Sequence, residues 1–488
     1  MIKEKYNLII VGGGPGGTPI AMEYAMMHKD KKILLVDKKG ELGGECLFDG
    51  CIPSKILEVS GKYTSMQEKL SGLGLLQTDV KIEWQKIVER KKKILSKRSE
   101  TAKKHLLSFG NVDIVKGLAY FLDDEHISIK DEDEKVIQFD KAVIATGSRT
   151  FVPPFNGNGV KKAWTNKEFF DTMQLPDTIT IIGDGPIGIE MSQILSKLGT
   201  EVNLIGNREI ILPMIDEKYS NMILDQMKAD KNINLLLNVD VSKIDFDNER
   251  FDVTYLNNEK KVQNIQSSKV LIATGRTPNI EILQLDKAGV EFEKKGIVVD
   301  EYLQTTNKKI YACGDVVLKF PQFAHTATYG SHIIAQNLFF ERNKFKVNFD
   351  KNSWVLFSNP NFASAGLSEQ QAKERGINVI VGEYDYSIDA KAQIENENIG
   401  FLKFIVDAKT LEIVGINIVG DNIHTISGEA ALIVSQKITL GNLIDTIHPH
   451  PTLSESYTFL AKSMMGHVMH KKMDNPMFNV GFTIKKWF

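Results

Sequence analysis

The pattern G-x-G-x-x-G occurs twice in the sequence, each time between an apolar run typical of a buried strand and a run typical of a helix. The strand-like runs are residues 7–11 and 178–182. The glycines are Gly12, Gly14 and Gly17 in the first copy and Gly183, Gly185 and Gly188 in the second. Such glycines permit a tight turn and the close approach of a pyrophosphate, which lies on the helix N-terminus. The two copies predict an α/β fold with two Rossmann-like dinucleotide-binding domains.

An acidic residue supports the first of these modules. A second strand is predicted over residues 32–36, and it ends at Asp37. A carboxylate at this position can hydrogen-bond the hydroxyls of a ribose. Because strand, helix and acid are in register, an incidental glycine turn is the weaker interpretation. Two dinucleotide modules in one chain imply two dinucleotides, between which a hydride can pass.

Two of the three cysteines lie in residues 43–55, just after the first module. Cys46 and Cys51 precede Lys55, and a helix is predicted from about Pro53 onward. A helix N-terminus and a nearby ammonium both favour the thiolate, so this pair is a candidate for reversible disulfide chemistry. A structural disulfide and half of a metal site are the alternatives. Three cysteines cannot form a four-cysteine zinc site, and no metal site is predicted.

Composition limits the other classes of function. The chain has 488 residues, which favours two to four domains, and a formal net charge of −2. No global field would draw the chain to nucleic acid or to a membrane, and the basic run over residues 90–104 is interpreted as a solvated helix face. No signal peptide and no membrane-spanning run are predicted. With so few cysteines, a cytoplasmic protein with a catalytic disulfide is expected.

Repeated turns and changes of pattern predict the domain organisation. A β-meander is predicted over residues 112–140, followed by a strand over 141–144 and the sequence Ala-Thr-Gly, which recurs at 273–275. A connector rich in Pro, Gly and Asn over 152–159 marks a boundary, and a separate α+β character begins near Phe345. The predicted domains are residues 1–150, 151–273, 274–345 and 346–488.

Three further positions carry candidate chemistry. A strand predicted over residues 310–316 contains Cys313, interpreted as a small buried hydrophobe, and ends near Asp315, a candidate flavin or ribitol contact. Far towards the C-terminus, His450 precedes Glu455 by five residues within the sequence His-Pro-His-Pro-Thr-Leu-Ser-Glu. A histidine and a carboxylate can serve as a base and the group that orients it. A simple His-Pro turn is the alternative, and the dithiol and the two modules favour the functional interpretation.

Together these motifs resemble the flavin-dependent pyridine nucleotide–disulfide oxidoreductases, and among them most closely the lipoamide-oxidising type. The resemblance covers about residues 5–465. It is carried by Gly-Gly-x-Cys-x4-Cys-x-Pro-Ser-Lys at 43–55 and by His-x-His-Pro-Thr-x-x-Glu at 448–455. The resemblance implies that residues 1–150 bind FAD and that residues 151–273 bind NAD or NADP. It also implies that residues 274–345 are a central domain that completes the FAD site and that residues 346–488 form a C-terminal dimer interface.

The resemblance also implies roles for individual residues. Cys46 resembles the thiol that forms a mixed disulfide with the substrate, and Cys51 the thiolate against the flavin. Lys55 resembles the lysine beside the flavin, with Glu190 as its ion partner. His450, held by Glu455, resembles the base, which in this family completes the active site of the partner subunit in a homodimer.

The predicted cofactor contacts follow from these matches. For FAD they are Gly12, Gly14, Gly17, Asp37, Lys38, Gly44, Lys55, Gly117, Ala119, Thr146, Gly147, Asp315 and Ala324. For NAD(P) they are Gly183, Gly185, Gly188, Glu190, Arg208 and Gly275.

The resemblance predicts electron transfer between a dithiol such as dihydrolipoamide and NAD(P), through a Cys46–Cys51 disulfide and FAD. A lipoyl domain of a 2-oxoacid dehydrogenase complex is a candidate partner. The alternatives are an NAD(P)H-dependent reductase of another small disulfide, a mercuric-reductase-like protein without the C-terminal cysteines, and a non-catalytic flavoprotein. Glu45, Phe48 and Asp49 are unusual around the cysteines and leave the substrate open.

The nicotinamide cofactor and the tail also stay open. NAD-using members carry an acid at the end of the strand predicted over 201–205, where this chain has Gly206 and Asn207 followed by Arg208. Arg208 could accept the 2′-phosphate of NADP or point to solvent. The tail, residues 464–488, contains His467 and His470 and is interpreted as a segment that packs on the dimer partner rather than as a metal site.

Overall fold

A computed structural model describes residues 3–70, 73–76, 80–342, 344–397 and 399–473. The α-helices of these residues are α1 (Thr18–Met27), α2 (Gly44–Phe48), α3 (Cys51–Lys69), α4 (Trp84–Leu107), α5 (Asn166–Asp171), α6 (Pro186–Lys197), α7 (Glu217–Ala229), α8 (Ala324–Phe339), α9 (Glu369–Glu374), α10 (Ala390–Ile394), α11 (Ser427–Ser435), α12 (Leu440–Ile444) and α13 (Glu455–Met473).

The strands of the described residues belong to several separate sheets. In the first half of the chain they are β1 (Lys5–Val11), β2 (Ile33–Asp37), β3 (Val112–Lys116), β4 (Leu118–Phe121), β5 (His126–Lys130), β6 (Glu134–Ile144), β7 (Ser148–Thr150), β8 (Thr178–Ile182), β9 (Glu201–Ile205), β10 (Ile233–Leu236) and β11 (Asp240–Asp247). In the second half they are β12 (Arg250–Leu256), β13 (Val262–Ser267), β14 (Lys269–Ile272), β15 (Arg276–Pro278), β16 (Phe292–Glu293), β17 (Gly296–Ile297), β18 (Ile310–Ala312), β19 (Ser353–Leu356), β20 (Asn361–Gly366), β21 (Val379–Asp385), β22 (Gly400–Asp407) and β23 (Ile413–Gly420).

The first dinucleotide module is built on a seven-stranded sheet in the order β3-β2-β1-β6-β5-β4, with β18 also paired to β6. Strands β1, β2, β3 and β18 join the parallel part of this sheet, and β4 and β5 add an antiparallel meander to β6. The apolar residues of β1 and β2 are almost wholly buried, as expected for parallel strands covered on both faces. The carboxyl ends of these strands therefore carry the first glycine turn and Asp37.

The second module repeats this arrangement on a smaller scale. Its parallel sheet has the order β10-β9-β8-β14, and an antiparallel sheet of β11, β12 and β13 follows in the chain. The strands predicted over residues 178–182 and 201–205 coincide with β8 and β9. A short ribbon of β7 and β15 links the two modules, because Arg276 pairs with Thr150 and Pro278 with Ser148. The predicted α/β fold with two Rossmann-like modules and a C-terminal α+β domain is confirmed.

The C-terminal region forms a five-stranded antiparallel sheet in the order β19-β20-β23-β22-β21. Alternate residues of the central strands and one face of α11, α12 and α13 form a common buried core. Within this core the rings of Phe404 and Tyr457 stack at a centroid distance of 6.1 Å. The strands carry the β-branched and aromatic residues that favour a pleated, half-buried surface.

The described residues divide into two compact units, which fall within the following ranges of the sequence. One unit comprises residues 1–67, 79–212 and 230–347, and the other comprises 68–78, 213–229 and 348–488. Both nucleotide modules lie in the first unit, and the five-stranded sheet lies in the second. The bounds of the four predicted domains stay predictions. The predicted dimer contact of the tail concerns residues 464–488, and residues 474–488 of that segment lie outside the described residues.

Two local predictions differ from the structure. The helix predicted from about Pro53 begins at Cys51, so that the second cysteine opens α3. The strand predicted over 310–316 ends at Ala312, because Gly314 adopts φ +78° and starts a single 3-10 turn that contains Asp315. Across the described ranges, the chain has no helix long and apolar enough to cross a membrane.

Candidate redox and dinucleotide-binding site

The two cysteines lie on consecutive helices. Cys46 is in the short helix α2, and Cys51 is the first residue of α3. Both are free thiols; Cys46 is half-buried and Cys51 is exposed. The amide of Ser54 donates to the carbonyl of Gly50 at 3.1 Å, which starts the first turn of α3 directly at the second thiol. The cysteines thus stand close together at a helix N-terminus, where a thiolate is favoured.

The two thiols differ in acidity. A hydrogen bond between them, with burial of Cys46, raises the pKa of the Cys46 thiol well above its ordinary value. The same hydrogen bond lowers the pKa of Cys51, and the nearby Lys55 ammonium acts in the same direction. Cys51 is therefore the thiol that carries negative charge in the reduced pair, and Cys46 is the proton donor to it.

Lys55 forms an ion pair with Glu190, at 2.6 Å from Nζ to Oε2. Lys55 lies one turn after Cys51 on α3, and Glu190 lies on α6 of the second module. Two turns further along α3, the Thr64 hydroxyl donates to the carbonyl of Lys197 at the end of α6, at 2.7 Å. Helix α3 is therefore bound to α6 of the second module by two side-chain contacts. Lys55 and Glu190, which the family resemblance predicts to be an ion pair, are in contact.

Glu45, immediately before the first cysteine, is held by two residues that are distant in the sequence. Its Oε2 atom accepts from Arg276 at 2.6 Å, and its Oε1 atom accepts from the Asn166 amide at 2.7 Å. Arg276 also contacts Asp315 at 3.3 Å and donates to the Ser148 hydroxyl at 2.7 Å. The side chains of Glu45 and Arg276 are only 25% and 21% exposed, so the pair is shielded from water.

The other two unusual residues of this segment share one partner, Lys39. Its ammonium lies 3.5 Å from the Asp49 carboxylate and 5.6 Å from the centre of the Phe48 ring. The carbonyl of Asp49 also accepts from the Asn166 amide at 2.6 Å. Glu45, Phe48 and Asp49, the unusual residues around the cysteines, therefore all make intramolecular contacts that connect the cysteine segment to other parts of the chain.

The first glycine turn has the shape that a pyrophosphate requires. A Cβ atom at Gly12 would lie 2.2 Å from the carbonyl oxygen of Ala145, and one at Gly17 would lie 1.9 Å from that of Gly12. At Gly14 the nearest atom would be the Cα of Gly44 at 3.7 Å. The first and third glycines are thus required by packing, and the second leaves its backbone accessible in front of α1.

The second glycine turn repeats this geometry. A Cβ atom at Gly183 would lie 2.3 Å from the carbonyl oxygen of Ala273, and one at Gly188 would lie 1.8 Å from that of Gly183. At Gly185 no atom would lie within 4 Å. The residues present therefore fit one dinucleotide on each module, each with its pyrophosphate at a helix N-terminus.

Other predicted FAD contacts cluster around the first turn. The Asp37 carboxylate accepts from the amide of Gly13 at 3.0 Å, and the Asp37 carbonyl accepts from the amide of Gly117 at 3.0 Å. Lys38 is exposed next to Asp37, and Ala119 is buried in β4. This group of residues lies at the carboxyl end of β2, where an adenosine ribose would be expected.

A second group of predicted FAD contacts lies around Asp315. The Ser148 hydroxyl donates to the Asp315 carboxylate at 2.6 Å. Thr146 and Gly147 stand just before Ser148, and the carbonyl of Gly147 accepts from the amide of Asn279 at 2.9 Å. Ala324 is the first residue of α8. Gly275, a predicted NAD(P) contact, has φ +127° beside this ribbon.

His450 and Glu455 lie together in the C-terminal unit. The His450 Nδ1 atom is 3.1 Å from each carboxylate oxygen of Glu455. The His450 side chain is 73% exposed, whereas that of Glu455 is 16% exposed and accepts from the amide of Thr452 at 3.0 Å. This backbone hydrogen bond, followed by that with His450, lowers the pKa of Glu455. The carboxylate therefore stays ionised and orients the imidazole towards solvent.

His448, two residues earlier, has a different environment that the sequence did not indicate. It is buried, with Nε2 at 2.7 Å from Glu429 and Nδ1 at 2.8 Å from the Thr458 hydroxyl. Glu429 also accepts from the Ser454 hydroxyl at 2.7 Å. His448 thus supports the loop that presents His450. Elsewhere in the described chain, no group of three His, Cys, Asp or Glu side chains is arranged to hold a metal ion.

The fold and this site define a class: an oxidoreductase with two dinucleotide modules and a dithiol between them. The sequence pattern of the family "Pyridine nucleotide-disulphide oxidoreductase" matches residues 6–330, and that of its dimerisation domain matches residues 352–461. The chain belongs to this family of flavoprotein enzymes, which use FAD and NAD(P).

Individual relatives carry different names. Mercuric reductase of Staphylococcus aureus is 31% identical over 458 residues, covering 93% of this chain and 82% of the relative. Dihydrolipoyl dehydrogenase of Buchnera aphidicola (subspecies Acyrthosiphon pisum) is 31% identical over 471 residues, covering 96% and 98%. Among solved structures, the Cu(II) complex of the flavoprotein disulfide reductase RclA from Escherichia coli covers 94% of this chain and 99% of its own, with a TM-score of 0.81 and 24% identity. The last similarity concerns the fold alone.

The contacts of Glu45 lead to the first prediction. Glu45→Gln removes the charge that faces Arg276, and we expect the free energy of unfolding to fall by about 1–3 kcal/mol because the ion pair is largely shielded from water. Amide hydrogen exchange over residues 44–51 should become faster, as measured by mass spectrometry.

Glu41→Gln is the matched control, because Glu41 is an exposed acid four residues earlier. If the two variants show the same stability and the same exchange over residues 44–51, the proposed restraint of the cysteine segment is wrong.

Proposed function

We propose that this protein oxidises dihydrolipoamide, or the dihydrolipoyl group of a protein lipoyl domain, with NAD(P) as the electron acceptor. The observation that carries the proposal is the hydrogen-bonded pair of Cys46 and Cys51 at the start of α3. Its two thiols differ in acidity, and its helix is paired through Lys55 to Glu190 of the nicotinamide module. A symmetric or buried structural disulfide would need neither property.

The thiol chemistry follows from this asymmetry. In the oxidised protein, with a Cys46–Cys51 disulfide, a substrate thiolate attacks the Cys46 sulfur and releases Cys51 as a thiolate. The second substrate thiolate then attacks the substrate sulfur of the mixed disulfide, and Cys46 leaves and takes up a proton. The substrate dithiol has become a disulfide, and the protein disulfide has become a dithiol. The low pKa of Cys51 makes it the better leaving group.

Bound FAD would supply the two-electron chemistry that links the dithiol to the nicotinamide. The two glycine turns would hold the pyrophosphates of the two cofactors. Asp37 and Asp315 would contact the FAD. The Lys55–Glu190 ion pair would hold an ammonium beside Cys51, where it stabilises the thiolate. Arg276 would keep Glu45 from adding a second uncompensated negative charge next to the reacting sulfur atoms.

A base must remove a proton from each substrate thiol, and we assign this role to His450 of a second copy of the chain. Its ring is exposed on a unit that matches the dimerisation domain of the family, and Glu455 fixes its orientation. The free Nε2 side of such a ring can accept a proton from an incoming thiol. We therefore propose a homodimer in which each subunit completes the active site of the other.

Several features favour a lipoyl dithiol over other substrates. The chain covers 98% of a dihydrolipoyl dehydrogenase, and Thr452, Leu453 and Ser454 before Glu455 match the lipoamide type. Mercuric reductase is the second candidate, because a relative of that name is equally similar. However, residues 314–488 of this sequence contain no cysteine, so the C-terminal cysteines of a mercuric reductase are not found there.

We propose the cytoplasm as the location of the protein, because its reducing environment is one in which a disulfide is catalytic rather than structural.

The substrate is tested by steady-state kinetics of the purified protein. We expect turnover of dihydrolipoamide with NAD(P) to exceed turnover of glutathione disulfide and coenzyme A disulfide with NAD(P)H by at least about tenfold in kcat/KM, because the two thiols of dihydrolipoamide are joined in one molecule and those of the other two substrates are not. Reduction of Hg(II) is measured in parallel. A protein that reduces Hg(II) but does not turn over dihydrolipoamide would support the second candidate.

The roles of the two cysteines are separable by absorbance. Cys46→Ser retains the Cys51 thiolate, so we expect the long-wavelength charge-transfer absorbance of a thiolate against FAD to remain, whereas Cys51→Ser should lose it. Because the Cys46 thiol makes the largest contribution to the lowered pKa of Cys51, the absorbance of Cys46→Ser should fade at a higher pH than that of the reduced wild-type pair, with Lys55 still favouring the thiolate. Both variants should lose dithiol turnover. Retention of the absorbance in Cys51→Ser would reverse the assignment.

His450 and His448 provide a matched pair of variants. His450→Gln should lower kcat/KM for dihydrolipoamide by about 10²–10⁴-fold, because a general base is lost, and should leave the melting temperature unchanged because the ring is exposed. His448→Gln should lower the melting temperature, because it breaks buried contacts with Glu429 and Thr458. Equal activity of His450→Gln and wild type would exclude His450 as the base.

A further inference from the structure

The end of β9 in the nicotinamide module lacks a side chain. Gly206 follows this strand directly and is buried. Its amide donates to the carbonyl of Leu236 at 2.9 Å, and its carbonyl accepts from the amide of Val239 at 3.1 Å. The backbone at this position is therefore fixed by the neighbouring strand. In a Rossmann module, the residue at this strand end is the one that faces the adenosine ribose.

The space of the missing side chain is occupied by Asp184, the residue between the first two glycines of the turn. A Cβ atom at Gly206 would lie 2.7 Å from both the Cβ and the Oδ2 atom of Asp184. An acidic side chain is thus present at the end of β9, although it comes from the glycine turn rather than from the strand. Gly206 is required at this position because Asp184 fills it.

The Asp184 carboxylate is deeply buried and incompletely satisfied. The residue is 5% exposed, and its Oδ2 atom has no hydrogen-bond partner among the described residues. A buried carboxylate oxygen without a donor is costly, so such a group marks a position where a ligand donor is missing. The Asp184 side chain ends in a broad torsion, so rotation about this bond exchanges the positions of its two oxygen atoms.

Arg208 lies beside this carboxylate rather than apart from it. Its Nη1 atom is 3.7 Å from the Asp184 Oδ1 atom, and its side chain is 55% exposed. Burial raises the pKa of Asp184, and the Arg208 guanidinium opposes this rise. The positive charge of Arg208 is thus already partly compensated by the Asp184 carboxylate, so Arg208 would bind the 2′-phosphate of NADP only weakly.

We infer that Asp184 takes the role of the missing strand-end acid and makes the nicotinamide module selective for NAD(H) over NADP(H). Its carboxylate accepts a hydrogen bond from the ribose 2′-hydroxyl, and the same carboxylate repels a 2′-phosphate. Asp184 is a specificity-determining residue in this assignment, and the Arg208 guanidinium lies 3.7 Å from its carboxylate. The inference rests on the proposed function for the identity of the second dinucleotide.

The test measures binding of two non-reacting fragments, ADP-ribose and 2′-phospho-ADP-ribose, to the FAD-loaded protein by calorimetry. Wild type should bind ADP-ribose at least about tenfold more tightly. Asp184→Asn and Asp184→Ser should each reduce this ratio by about tenfold or more, because the repulsive charge is gone. Glu209→Gln, which removes an exposed acid next to Arg208, should leave the ratio unchanged.

Opposite results would overturn the inference. Tighter binding of the 2′-phosphorylated fragment by wild type, lost in Arg208→Gln, would assign the site to NADP(H). This wild-type measurement does not depend on the folding of any Asp184 variant. An unchanged ratio in both Asp184 variants would equally exclude the role of Asp184. If instead the preference for ADP-ribose is found but no dithiol is turned over, the proposed function fails and the inference about Asp184 stands.

Discussion

The nucleotide modules depend on one constraint, the direct contact of backbone with backbone at the first and third glycines of each turn. At Gly12 and Gly183 a carbonyl oxygen of the neighbouring strand end occupies the place of a side chain. At Gly17 and Gly188 the carbonyl oxygen of the first glycine does so. These contacts bring the helix N-terminus up to the sheet edge, where its amides and its dipole face an anion. Because both modules obey the same constraint, the chain can carry two dinucleotides.

The cysteine segment lies between these two modules and is tied to both. Its helix α3 is joined to α6 through Lys55 and Glu190, and Glu45 is joined to the β7–β15 ribbon through Arg276. Three carboxylates around the cysteines have cationic partners: Glu45 pairs with Arg276, Asp49 with Lys39 and Glu190 with Lys55. A thiolate is stabilised by such surroundings only if the cations keep their positions. In the proposed function, the ion pairs would therefore support the Cys51 thiolate by fixing geometry as well as by supplying charge.

Much of the fold was predictable because it is encoded locally. The strands over 178–182 and 201–205 are short apolar runs bounded by glycine turns, and they occur where the pattern indicates. The pair of His450 and Glu455 is also local, since five residues separate them. The contacts of Glu45 were not predictable, because Arg276 lies 231 positions and Asn166 lies 121 positions away. The position of the Asp184 side chain in the space beside Gly206 was also not predictable, because only the folded sheet brings this residue of the glycine turn to the end of β9.

The shared use of Glu45 by Arg276 and Asn166 has a consequence for how such a protein changes over time. A smaller neutral residue at position 45 would leave Arg276 with Asp315 as its acidic partner and would free the Asn166 amide from one of its two acceptors. The effects of substitutions at these three positions on the free energy of unfolding are therefore non-additive, since each substitution alone removes a hydrogen-bond partner from the remaining residues. The residue at position 45 is thus constrained by Arg276 and Asn166. Replacement of an acid at this position by a smaller neutral residue should cost more stability in this chain than in a chain that lacks these two partners. Divergence from a relative with another residue before the first cysteine would therefore require coupled substitutions at positions 45, 166 and 276.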